Sequence, residues 1–166
     1  MINILHLLII LPFLACSEPP KETDNTLKKE LLVKYKKMTK DFSIPTISAK
    51  ELKKNIRQED VLLIDVREER EQTISIIPNA ISVQEFEKNP NQHKGKKIIA
   101  YCTIGYRSAI LADKYKHLNI YNLIGGVLMW SHENGPFVNQ KGQTKKVHIY
   151  SKGWNYLNSQ YLPVTK

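Results

Sequence analysis

Four short apolar runs divide the middle of the chain, each flanked by polar stretches of helix-compatible composition. Val61-Leu62-Leu63-Ile64 is unbroken and ends in Asp65, and Ala80-Ile81-Ser82-Val83, Ile98-Ile99-Ala100-Tyr101 and Ile120-Tyr121-Asn122-Leu123 follow it. A short continuous apolar run is the pattern of a strand buried on both faces of a parallel sheet. Between and after these runs, Glu68 to Thr73, Gln84 to Lys88, Ser108 to Leu118 and Val127 to Glu133 suit helices. Ser48-Ala49-Lys50-Glu51 is a capping box that predicts a helix to about Asn55. Strands alternating with helices predict an α/β fold, a central and mostly parallel sheet with helices on both faces. Ligands in such sheets bind beyond the carboxyl ends of the strands. Asp65 and Cys102 fall at that edge.

The flanks differ from this pattern. Ile2 to Leu14 is apolar except for Asn3, His6 and Pro12, shorter than the roughly 20 residues of a spanning helix, and reads as a signal-peptide core. It ends Phe13-Leu14-Ala15-Cys16, which resembles the bacterial lipobox, where the cysteine is lipidated and becomes the new N-terminus. Residues 1–16 are therefore expected to be a signal peptide cleaved before Cys16. The protein is then an extracytoplasmic lipoprotein of a bacterial envelope, held to the membrane through Cys16. Residues 17–42, with Pro19-Pro20 and seven lysines from Lys21 to Lys40, read as a polar, basic tether. Leu27, Leu31, Tyr35 and Met38 share one helical face, so a short amphipathic helix is the competing reading. Residues 43–138 carry the globular pattern, and 139–166 form an extension expected to pack on it through its Trp and Tyr residues.

Composition narrows the class. A chain of 166 residues, 42% hydrophobic and 25% charged, is one ordinary domain with short extensions, which excludes a multidomain machine, a disordered chain and a membrane bundle. Two cysteines exclude a disulfide scaffold. The net charge of +9 favours anionic partners. None of it lies in residues 1–16, and for an exported chain nucleic acid is not the expected partner.

The chemistry centres on Cys102. The five histidines read as surface residues, with His93 at the sheet edge opposite Cys102. No His, Cys and carboxylate cluster has metal-ligand spacing, and Gly125-Gly126 lacks the remainder of a phosphate loop. No metal or cofactor is called for. Cys102-Thr103-Ile104-Gly105-Tyr106-Arg107 is a tight turn from strand to helix. Successive backbone N–H groups in such a turn form an anion nest, and the helix N-terminus adds positive potential. That setting favours a nucleophilic sulfur. Gly105 allows the bend, and Arg107 neutralises an anionic substrate or braces the loop against Asp65.

Residues 44–138 resemble a single rhodanese domain. The resemblance rests on Ile44-Pro45-Thr46-Ile47-Ser48, Leu62 to Glu68 with its Asp-Val-Arg, Ile77-Pro78-Asn79-Ala80, Tyr101 to Ser108, and Leu123 to Trp130 with its double glycine. It implies a sulfurtransferase in which Cys102 takes a sulfane sulfur as a persulfide from thiosulfate, polysulfide or an organic persulfide. The acceptor is a thiol, a thioredoxin-like protein or cyanide. Thr103, Ile104, Gly105 and Tyr106 then cradle the persulfide, and Asp65 organises the loop through Arg107 or Arg67. Thr103 stands where thiosulfate-using members carry a basic residue. Two rivals stay open: a phosphatase or arsenate reductase on the same scaffold, whose loop has five residues between Cys and Arg where this chain has four, and a non-catalytic binding module.

Overall fold

The computed structural model describes residues 23–165. In chain order the elements are α1 (Asp24–Thr39), β1 (Thr46–Ile47), α2 (Ala49–Asn55), β2 (Val61–Asp65), α3 (Glu69–Ile74), β3 (Ala80–Ser82) and α4 (Val83–Lys88). Then come β4 (Lys97–Tyr101), α5 (Tyr106–Lys114), β5 (Tyr121–Leu123), α6 (Gly126–His132), β6 (Phe137–Asn139), β7 (Gly142–Thr144), β8 (Lys146–His148) and β9 (Leu162–Val164). Strands β1 to β5 form one sheet in the order β1-β5-β4-β2-β3, with every pairing parallel. The α/β architecture predicted from the apolar runs is the architecture observed.

Period-two alternation divides each central strand between two cores. Leu62, Ile64, Ile98 and Ala100 pack with Phe86 of α4 and Leu111 and Ala112 of α5. Leu63, Ile99, Tyr101 and Leu123 pack on the other face with Leu52 of α2 and Val127, Leu128 and Trp130 of α6. Both faces are covered, so the strands show no polar alternation in sequence. The chain reverses its direction of travel across the sheet between β2 and β4, whose carboxyl ends carry Asp65 and Tyr101. That reversal opens a crevice between neighbouring loops.

The second core extends beyond the sheet and its helices. Leu31 and Tyr35 of α1, at 0% and 6% exposure, and Val147, Ile149, Leu157 and Tyr161 of the C-terminal segment belong to it. The tether reading is therefore corrected for residues 24–39: they form a helix docked on the domain. Thr23 caps it by accepting the Thr26 N–H, and Leu31 and Tyr35 face inward while Lys29, Lys36 and Lys37 stay exposed and Lys28 reaches Glu133 at 2.6 Å. Burying two such side chains contributes about 1.5–3 kcal/mol each for the aliphatic and aromatic bodies, enough to order a helix of marginal intrinsic stability. Asp24 also ties α1 to the C-terminal segment, accepting from the Asn158 amide, the Ser159 N–H and the Ser159 hydroxyl. The lipid-attachment reading falls on Cys16, outside the described residues. No helix among the described residues is long and apolar enough to cross a membrane.

Candidate active site

β4 ends at Tyr101, and the turn Cys102 to Gly105 leads directly into α5. Gly105 has φ +109°, and a Cβ there would meet the Tyr35 ring at 2.7 Å. Glycine thus serves both the left-handed bend and the close approach of α1. The Gly105 N–H donates to the Cys102 sulfur at 3.1 Å. The loop's outward carbonyls are held by α6: Val127 N–H donates to the Cys102 carbonyl at 3.0 Å and Leu128 N–H to that of Thr103 at 3.3 Å. Gly126 makes this approach possible, because a Cβ there would lie 2.1 Å from the Cys102 carbonyl oxygen. With its carbonyls engaged outward, the turn leaves N–H groups for the sulfur side.

A buried amide braces the same turn from below. Asn122 donates to the Gly105 carbonyl at 2.9 Å and to the Tyr35 hydroxyl at 3.3 Å, and accepts from Ser108 Oγ at 2.7 Å. Burial pushes the Tyr35 phenol up, so it stays a neutral partner.

The charged residues sort into two pairs. Asp65 accepts from Arg67 Nε at 3.0 Å and Nη2 at 2.7 Å, and Arg67 Nη2 also donates to the Ser75 carbonyl at 2.6 Å. Burial alone would pull the Arg67 guanidinium down, but Asp65 outweighs it and holds the charge in place. Arg107 pairs with Glu71 and not with Asp65, through Nη1 to Oε2 at 2.7 Å and Nη2 to Oε1 at 2.9 Å. Of the two bracing partners expected for Asp65, the structure provides Arg67. Glu71 also accepts from the Glu68 N–H at 2.9 Å and from Thr103 Oγ1 at 3.2 Å. Burial would raise its carboxyl, but the Arg107 hydrogen bonds, the Glu68 N–H and the charges of Arg107 and Arg67 hold it below the usual carboxylate range.

Glu71 was invisible as a site residue among the charges Glu68-Glu69-Arg70-Glu71. The signal that could have found it is its spacing three residues after Glu68, where a capping box turns a carboxylate inward. His148 corrects the surface reading of the histidines. It is buried, with Nδ1 3.6 Å from Glu71 Oε1. That nitrogen accepts the Tyr150 N–H at 3.1 Å, so it carries no proton, and burial holds the ring below its ordinary range despite the pull of Glu71. The contact is between an anion and a neutral ring.

Above Cys102 lies a cavity of about 290 Å³. Ile104 and Tyr106 of the turn wall it on one side, and Met38 of α1 with Tyr150 and Trp154 of the C-terminal segment close the other. Thr103 and Arg107 are its polar side. A larger cavity of about 410 Å³ beside Phe137 and Tyr161 has no cysteine in its lining. Of the residues expected at the site, Cys102, Thr103, Ile104, Tyr106 and Arg107 line one cavity, Gly105 lies beneath it, and Asp65 and Arg67 stand behind as a buried pair.

The sequence profile of the rhodanese-like domain matches residues 48–133. The chain belongs to the rhodanese-like domain family. A rhodanese-related protein from Thermoplasma volcanium shares 30% identity at a TM-score of 0.50, covering 57% of this chain and 97% of its own. The thiosulfate sulfurtransferase of Pseudomonas aeruginosa, at 18% identity and a TM-score of 0.51, covers 71% of this chain and 24% of its own and shares the fold. Among curated proteins, a tRNA uridine(34) hydroxylase of Acinetobacter baumannii is 31% identical over 134 residues, spanning 72% of this chain. This chain covers 42% of that relative's length. The matched rhodanese-like domain runs from residue 48 to 133, so Met38 before it and Tyr150 and Trp154 after it, all three part of the cavity wall, lie outside it.

Proposed function

We propose that the protein is a sulfurtransferase that carries a sulfane sulfur on Cys102. The observation that carries this reading is the Cys102 sulfur at the floor of a cavity, accepting an N–H from Gly105 at the head of α5. The Cys102 thiolate attacks the outer sulfur of a donor, a new S–S bond forms, and the donor's own bond to that sulfur breaks as the leaving group departs with the electron pair. An acceptor thiolate then attacks the terminal sulfur and releases Cys102, a ping-pong sequence. The Gly105 N–H is aimed at the Cys102 sulfur, an atom on which negative charge sits during the transfer. Four residues between Cys102 and Arg107 make a tighter ring of donors than a tetrahedral oxyanion needs, which favours sulfur over phosphoryl chemistry.

Exposure of the purified protein to thiosulfate, polysulfide and an organic persulfide should add one sulfur atom to Cys102, read by intact mass. Cys102→Ser should abolish both that gain and turnover. No gain with any of the three donors would overturn the assignment.

We also propose that Cys16 bears the lipid anchor; lipid labelling should disappear in Cys16→Ser. A second reading comes from the relatives named tRNA uridine(34) hydroxylase, since a net charge of +9 would attract a polyanion. Salt-sensitive tRNA binding and hydroxylation of its uridine, in place of sulfur loading, would favour it.

A further inference from the structure

We propose that the sulfur donor is an organic persulfide with an apolar body, R–S–SH, in preference to inorganic thiosulfate, and that Met38, Tyr150 and Trp154 select it. The inference rests on the sulfurtransferase reading and deepens it.

Charge gives the first reason. Arg107 is the one charged residue lining the cavity. Both of its terminal nitrogens are committed to Glu71, and Nη2 reaches Thr103 Oγ1 at 3.2 Å as well. The pair is formally neutral as a unit, with the Arg107 guanidinium also within electrostatic reach of the Cys102 sulfur. Attack of the Cys102 thiolate on thiosulfate gathers three negative charges: the Sγ–S bond forms, the S–S bond to the sulfonate breaks, and sulfite leaves with the electron pair, giving Cys102–S–S⁻ and a dianion. Attack on R–S–SH gathers one, or two where the persulfide has ionised, in either case fewer than three. The Sγ–S bond forms, the bond to R–S breaks, R–S⁻ leaves with the pair, and the proton stays on the terminal sulfur of Cys102–S–SH. A cavity whose cation is already neutralised suits the second reaction.

The shape and lining agree. About 290 Å³ lies near the lower end of the roughly 300–1,000 Å³ range of pockets for small organic molecules. Met38, Ile104, Tyr106, Tyr150 and Trp154 offer it an apolar wall. Two of these rings are held by neighbouring side chains. Tyr106 meets Phe42 edge to face at 5.9 Å, and Trp154 is backed by the Lys34 ammonium at 5.8 Å. Tyr150 is half exposed yet held at φ +68°, a left-handed conformation unfavourable for a bulky residue, by its N–H bond to His148 Nδ1. An exposed aromatic ring kept at the cavity mouth in a strained conformation is explained by contact with a ligand.

The test compares kcat/KM for thiosulfate, methyl persulfide and butyl persulfide, with a common thiol acceptor. Butyl persulfide should exceed thiosulfate by about tenfold or more, and should exceed methyl persulfide, since each methylene in an apolar pocket gives about tenfold or more discrimination. Trp154→Ala and Tyr150→Asn should each shrink the butyl-to-thiosulfate ratio several-fold. Asparagine tolerates the left-handed conformation, so Tyr150→Asn removes the ring without backbone strain, and it decides the matter if Trp154→Ala does not fold. Equal or better use of thiosulfate, an unchanged ratio in Tyr150→Asn, or activity only with a protein-bound persulfide would overturn the proposal while leaving sulfur transfer intact. Failure of every donor to load Cys102 would instead remove the function beneath it.

Discussion

Two arginine–carboxylate pairs lie behind and beside the Cys102 turn, and they do different things. Asp65 and Arg67 are closed off, with side chains 2% and 0% exposed. Glu71 is as deeply buried at 1%, but its partner Arg107 keeps 29% exposure and faces the cavity. The first pair joins the end of β2 to the Ser75 carbonyl after α3 and has no outlet to substrate. The second joins α3 to the turn that carries Cys102. Similar ion pairs thus serve as a strut in one place and as part of a cavity wall in the other, and what separates them is access rather than chemistry.

The largest expected effect breaks the strut. Asp65→Asn strands the Arg67 charge in the interior, and removing one partner of a buried pair costs about 3–5 kcal/mol. A urea melt should show that loss, and one under about 1 kcal/mol would erase the distinction between the pairs. Glu71→Gln should cost less, about 2 kcal/mol for charged hydrogen bonds, because Arg107 can turn toward solvent. The same variant frees the Arg107 charge and should raise kcat/KM for thiosulfate relative to the unaltered protein. A fall would show that Glu71 does not restrain Arg107.

The smallest effect sharpens the comparison through pH. The neutral His148 ring has a folded-state pKa below its ordinary 6.5, so the unfolded chain takes up the proton first and stability falls as pH drops through about 6.5. Glu71, held below its ordinary 4.5, adds a second loss as pH falls further. His148→Asn keeps an acceptor for Tyr150 and should flatten the decline of Tm in the first window. His132, also shifted down by burial, shares that direction, so the decline should be reduced rather than abolished. An unchanged slope would mean that His148 is protonated in the folded state.

The sheet was legible because burial on both faces leaves an uninterrupted apolar signature at Val61 to Ile64 and Ile98 to Tyr101. The Cys102 turn was legible because its glycine and its strand-to-helix position follow from local geometry. What escaped depends on distant packing. The four-and-three spacing of Leu27, Leu31, Tyr35 and Met38 marked a helical face, yet a dense set of lysines looks the same on a free tether and on the outer side of a docked helix. Glu71 and His148 belong to segments that resemble surface, and only the approach of α3 to β8 turns them inward. Tyr150 and Trp154 carried an aromatic signal, but nothing local says that their rings reach Cys102.

Tyr35 lies against the bend of the nucleophile turn, so close that glycine alone fits between them. The segment matched to the family, residues 48–133, is therefore not a self-contained module. Moved into another protein it would bring the cysteine and its turn but leave behind the floor under Gly105 and the far side of the cavity. If the proposed donor preference holds, selectivity in this molecule is a property of its borders, and chimeras joined at those borders should inherit the proposed reaction without the choice of substrate.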